Sequence, residues 1–319
     1  MIKTFHNIQL KSFALSLLIG VLFLFSLVFV REMPEVKDLG TLANWFLQIE
    51  AGSRVYGLFL IILGGLLLQR VVSRNEIIFR QSTLTLFFYL ILHSLLPANV
   101  VLSTFSILSF LSILIFTQLL RFYSVSDPGF VLFFASFLVG LGSWLFFPFL
   151  LFQLVVFFAF ARFNPLSLRV FILGILGFLF VWIITFTAQY INPNWLLGYK
   201  INIAPCTSYF SNFKVLIPAS VLILLFSFSI LSWLQNAQRN TVKVRRNIQT
   251  IFFYMSISTL LGLAYFCETG NSVQLIYVPG SILLAYFFSI IKKYKIRLLL
   301  FYALLLTLLF AQFSTFIKI

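Results

Sequence analysis

Charged side chains are scarce in this chain: they make up 9% of 319 residues, against about 25% in an ordinary soluble domain. Acids are scarcer still, 7 Asp and Glu beside 22 Lys and Arg, and His and Cys occur twice each. A protein this poor in charge cannot cover a water-facing surface, and 61% hydrophobic content with 43 Phe exceeds what a soluble core absorbs. His6 and His93 stand too far apart for a zinc or di-iron cluster. Cys206 and Cys267 show no short metal-ligand spacing and cannot form a disulfide scaffold. A G-x-S-x-G elbow, an H-E-x-x-H helix and a Gly-rich phosphate loop are all missing, which removes support from hydrolase, metalloprotease and nucleotide-driven pump readings. The sequence names no cofactor.

What is present is a succession of long apolar runs. Taking about 20 residues as a spanning length, the sequence predicts an all-α polytopic transmembrane bundle of about 11 helices, near 12–30, 55–71, 83–96, 99–120, 128–143, 146–161, 168–190, 215–234, 248–266, 272–291 and 296–315. The first run follows Lys3 and Lys11 as a signal peptide would. It lacks a small-x-small cleavage site before Arg31-Glu32-Met33-Pro34 and is expected to be retained. The third is short and ends at His93-Ser94-Leu95-Leu96-Pro97, which suggests a tilted or half-spanning helix, or one reaching back toward Glu76. The stretch Phe130–Phe160 is too long for one span and contains Gly140, Gly142 and Pro148, so it is split into a helical hairpin.

The net charge of +15 would suggest nucleic acid in a soluble protein. Here the bases sit in short clusters between apolar runs, where the positive-inside rule accounts for them, and nucleic acid is excluded as a partner. An eleven-helix path with a cytoplasmic N-terminus and an outer C-terminus (N-in/C-out) puts most of the bases inside, from Lys3 and Lys11 through Arg239, Lys243, Arg245 and Arg246 to Arg297. Glu32, Glu35, Asp38, Glu50 and Glu268 then fall outside. The expected location is a membrane crossed in many passes, with the whole chain 1–319 as one integral-membrane domain.

Two outer loops are long enough to carry chemistry. The first, 31–54, holds Glu32, Glu35 and Asp38, then the segment Leu42 to Ile49, which suggests an amphipathic helix in the interface with Trp45 at head-group level. One of these three acids would serve as general base or metal ligand for transfer onto an acceptor at the outer face. The alternative is a solvated loop whose acids pair with Arg31 and Lys37. The second loop, 191–214, carries Trp195, Tyr199, Lys200, Cys206, Tyr209 and Lys214. Arg54, Lys200 and Lys214 fit a clamp on the phosphate of a lipid carrier, or plain snorkelling to the interface. Cys206 and Cys267 would both face the oxidising side, where a disulfide persists; the alternative is two unrelated small apolar residues.

Proton- or sodium-coupled transport is disfavoured, because Gln118, Gln153, Gln189 and Glu268 all sit near span ends. A lone His such as His93 within a helix is expected to be satisfied by a neighbouring carbonyl. Gly64-Gly65, Gly140-x-Gly142 and Gly174-x-x-Gly177 are expected to be close-packing points between helices.

The run from Asp127-Pro128-Gly129-Phe130 through Gly140-Leu141-Gly142-Ser143-Trp144 to Pro148, then Arg162-Phe163-Asn164-Pro165 to Arg169 and Ile172-Leu173-Gly174-Ile175-Leu176-Gly177, resembles an uncharacterised integral-membrane family of Bacteroidota-type bacteria. The same hairpin, with Ile276-Tyr277-Val278-Pro279-Gly280-Ser281 to Phe287, is also similar to the membrane core of GT-C glycosyltransferases, over about a third of the chain. That second resemblance implies polyprenyl-phosphate-linked sugar as substrate and a catalytic acid just after the first helix, where Glu32, Glu35 and Asp38 stand. The chain departs from the pattern in lacking an adjacent acidic doublet and a large outer domain. The resulting expectation is a protein handling a lipid-linked or cell-envelope component at the outer face. The other reading is a non-catalytic subunit or scaffold that binds a membrane-protein partner.

Overall fold

The computed structural model describes residues 17–22, 24, 50–78, 83–95, 100–122, 125, 128–163, 168–191, 213–236, 242–265, 271–291 and 294–316. The described residues are all-helical. They form α1 (Glu50–Arg74), α2 (Leu84–His93), α3 (Thr104–Arg121), α4 (Pro128–Leu145), a 3-10 turn (Phe147–Leu151), α5 (Phe152–Phe163), α6 (Leu168–Ile191), α7 (Phe213–Asn236), α8 (Val242–Ala264), α9 (Gln274–Ile290) and α10 (Tyr294–Phe316). Six are long and apolar enough to cross a membrane, namely α1, α3, α4, α6, α8 and α10; four shorter apolar stretches lie in α2, in the 3-10 turn with α5, in α7 and in α9.

Local chemistry explains where these helices stop. Asn75 donates from its side chain to the Val71 carbonyl at 2.9 Å, and Glu76 then turns the chain at φ 52°. The third helix of the sequence reading therefore does not reach back to Glu76. Instead α2 has 10 residues, about 15 Å of rise, half of a hydrocarbon core of about 30 Å. All ten are buried, as expected of a helix that is apolar on every side. Ser94 and Leu95, both buried, turn the chain out of it. Ser94 there donates to the Ile91 carbonyl at 2.7 Å, and the Gln312 amide donates to the Ser94 carbonyl at 3.4 Å. Ser103 and Ser106 then form a capping box that starts α3.

The expected hairpin is present as a break. Phe146 is extended, Pro148 opens the 3-10 turn, and Gly142 leaves room for the Phe149 ring, which a Cβ would strike. α1 begins at Glu50 and takes in Arg54, so residues 50–54 of the first loop of the sequence reading are helical. The second loop is shortened likewise, with α6 running to Ile191 and α7 starting at Phe213.

Contacts fix the relative directions of the helices. On α1, Gly57 meets Val100 and Leu102, while Gly64 meets Tyr89 and Ile113, so α1 runs parallel to α3 and antiparallel to α2. Gly174 meets Leu132 and Gly177 meets the Phe133 carbonyl, making α4 and α6 parallel. Phe158 stacks on Phe253 and Phe152 meets Tyr254, making α5 and α8 antiparallel. Phe88 meets Phe288 and His93 meets Tyr277, making α2 and α9 antiparallel. One end of the bundle thus gathers Arg70, Arg74, Arg121, Arg162, Arg169, Lys243, Arg245, Arg246, Lys295 and Arg297. Such packing rests on dispersion and close backbone approach, since lipid removes the hydrophobic drive between helices. On α6 the outward face stays apolar and exposed, with Ile183 and Phe186 each 61% accessible.

Candidate functional site

Two features of the bundle carry polar chemistry. The first is an interior seam among α2, α3, α8 and α9. Tyr89 of α2 lies beside Ser109, Ser109 donates to the Gln274 carbonyl at 3.4 Å, and Ser112 donates to the Ser109 carbonyl at 2.6 Å. Tyr254 lies across from Ser112, but its hydroxyl makes no hydrogen bond of good geometry with a described residue. The hydroxyl of Ser258, one turn further along α8, and both amide atoms of Asn271 are likewise buried without a partner among the described residues. An unpaired buried polar group costs about 1–3 kcal/mol; a bound water with two to four partners relieves that. The seam offers hydroxyls and amides without formal charge. His93 borders it, its Nδ1 3.0 Å from the Tyr89 carbonyl, to which it donates in the Nδ1–H tautomer. This is the carbonyl satisfaction expected for a lone His.

The second feature is a groove of about 350 Å³ at the basic end, open at the surface of the bundle between α5, α7 and α8. Three apolar helices place it. Arg162 stands in the last turn of α5, and Trp233 and Leu234 close to the end of α7. Gln249, Phe252, Phe253 and Ser256 line it from α8, Ile230 from α7 and Phe158 from α5. The Arg162 guanidinium lies 5.5 Å from the Phe158 ring centroid, a cation–π distance. Phe158 stacks on Phe253 at 4.3 Å, and Trp233 packs on Phe252 at 4.6 Å, leaving the buried indole N–H without an acceptor among the described residues. Among the described residues no acid lines the groove. It therefore presents a cation and neutral polar groups near one end of an otherwise apolar wall, the pattern that takes an amphiphile.

Of the residues singled out from sequence, Glu32, Glu35, Asp38, Lys200, Cys206 and Cys267 lie outside the described residues, as does the segment 42–49. Arg54 lies in α1, which packs on α2 and α3, and Lys214 in the first turn of α7, which packs on α9 and α10. The helices that carry these two bases pack against different neighbours. Among the described residues no group of three His, Cys, Asp or Glu is placed to hold a metal ion. The glycine expectation holds: a Cβ on Gly177 would strike the Phe133 carbonyl, and one on Gly140 would meet Val181 at 2.9 Å.

Sequence reasoning missed both features. Weighing only Gln118, Gln153, Gln189 and Glu268 overlooked the seam, because Ser and Tyr barely disturb an apolar run. Gln153 does find a partner, donating to Ser136 at 2.8 Å. The groove draws on residues 162, 233 and 249, which nothing in the sequence links; the one usable signal was an Arg closing a Phe-rich helix, Phe157-Phe158-Ala159-Phe160-Ala161-Arg162.

The fold defines the class, an all-helical protein with helices long and apolar enough to span a membrane. Comparisons with protein families, curated proteins and solved structures gave no match, and the class rests on the fold.

Proposed function

We propose that the chain is a multi-pass protein of the bacterial inner membrane that handles a lipid-linked component of the cell envelope. The observation behind a lipid-handling role is the amphiphilic groove between α5, α7 and α8, which lies at the basic end, across the bundle from the outer-loop residues, and so supports lipid binding and not the outer-face step itself. In this reading the basic end faces the cytoplasm, the chain makes about eleven spans with its N-terminus inside and C-terminus outside, and the core is GT-C-like. Catalysis then falls to one of Glu32, Glu35 and Asp38 in the first outer loop, with Arg54, Lys200 and Lys214 meeting the phosphate of a polyprenyl-phosphate carrier. The second reading, a non-catalytic subunit, is favoured by the exposed apolar face of α6, including Phe171, Phe180 and Phe186, which suits a neighbouring membrane helix as well as lipid.

The test uses the full-length protein in its host. Changing Glu32 and Glu35 to Gln and Asp38 to Asn, singly, should abolish an envelope phenotype in at least one case without lowering protein abundance, since a surface change alters stability by about 0.5 kcal/mol or less. Full activity in all three removes the catalytic reading and leaves the subunit.

A further inference from the structure

We infer that the groove between α5, α7 and α8 selects an anionic, phosphate-bearing membrane lipid, with Arg162 as the residue that reads the head group. The inference rests on the reading of the protein as one that handles lipid-linked components, and adds the chemical class and the leaflet.

The argument runs from the lining. Arg162 brings a guanidinium whose forked N–H donors match phosphate oxygens. Gln249 adds an amide from α8 beside Trp233, whose ring packs on Phe252. A group that only accepts hydrogen bonds and carries negative charge answers that set. A choline or ethanolamine head adds a cation that the Arg162 guanidinium, already over the Phe158 ring, repels, and no acid among the described lining residues offsets that. Toward the middle of the bundle the wall turns apolar through Phe252 and Ile230, and this is where a chain would lie. A volume of about 350 Å³ is at the low end for ligand sites and suits a head group with the first part of one chain. The membrane supplies such a molecule directly, at the leaflet that meets the basic end.

Full-length protein reconstituted in phosphatidylcholine is titrated with phosphatidylglycerol carrying brominated chains, and separately with brominated phosphatidylcholine. Quenching of Trp233 is measured as the difference between each protein and its Trp233→Phe counterpart. Half-maximal quenching is expected at about three- to tenfold lower mole fraction for the anionic lipid, the weight of one charge-assisted contact. That preference should vanish in Arg162→Gln and be largely retained in Arg162→Lys, both checked for unchanged helical content. Equal quenching by the two lipids, or a preference that survives Arg162→Gln, overturns the head-group assignment while leaving the groove as a lipid site. Absence of Trp233 quenching by either lipid overturns the groove as a lipid site as well, and with it the observation behind the proposed function.

Discussion

The side-chain oxygen of Gln69 on α1 accepts the backbone N–H of Leu86 on α2 at 3.2 Å. Thr83, at the start of α2, makes no side-chain cap of its own, and the first N–H groups of a helix have no partner within it. In hydrocarbon there is no water to supply one. A neighbouring helix does so here, and this allows α2 to begin inside the bundle.

Replacing Gln69 with Leu should therefore strand a buried donor and cost about 1–3 kcal/mol. Thermal unfolding of the purified protein in detergent would read this as a lowered melting temperature. Gln118→Leu on α3, whose carbonyl oxygen accepts from the exposed Arg121 at 3.1 Å, should leave it almost unchanged. Equal melting of the Gln69→Leu and unmodified proteins would show that the bond carries nothing.

Two glycines give opposite expectations for the same substitution. A Cβ on Gly177 meets the backbone carbonyl of Phe133, which can move only if α4 and α6 separate, so Gly177→Ala should destabilise by about 1–3 kcal/mol. At Gly262 the nearest atom is the tip of Ile276, 2.8 Å away, which a rotamer change can relieve. Gly262→Ala should cost clearly less in the same melting assay, and the reverse order would contradict the contacts described.

A topology reporter fused after Lys318 should report the outer side, and one inserted in 235–247 the cytoplasm, where Arg239, Lys243, Arg245 and Arg246 gather. A cytoplasmic C-terminus would mean that one span has been miscounted, with the Leu145–Pro148 break and the half-length α2 as the first places to look.

What was legible in the sequence was whatever hydropathy and backbone chemistry decide locally. Pro148 with Gly140 and Gly142 marked the break after α4, and the polar punctuation at His93 and Ser94 marked the end of α2. The brevity of α2 could be seen, but its complete enclosure could not, because burial depends on α1, α9 and α10 arriving from distant parts of the chain. The groove shows the same limit. Arg162 looks like an ordinary inside-loop base until α7 and α8 set Trp233 and Gln249 beside it. Hydropathy sums also hid the seam, since Tyr89, Tyr254 and the serines between them count as nearly neutral.

The enclosure of α2 has a consequence for how the protein is made. A half-length helix whose Leu86 N–H is met from α1 and whose terminal Ser94 carbonyl is met from α10 cannot rest alone in the bilayer as an independently inserted span. Its terminal Ser94 meets Gln312 only across 218 positions of sequence. At a synthesis rate of about 5–20 residues per second, roughly 10–45 s pass between the two emerging. Throughout that interval the nascent α2 needs a temporary host, so this protein's assembly leans on the insertion machinery for longer than its span count alone would require.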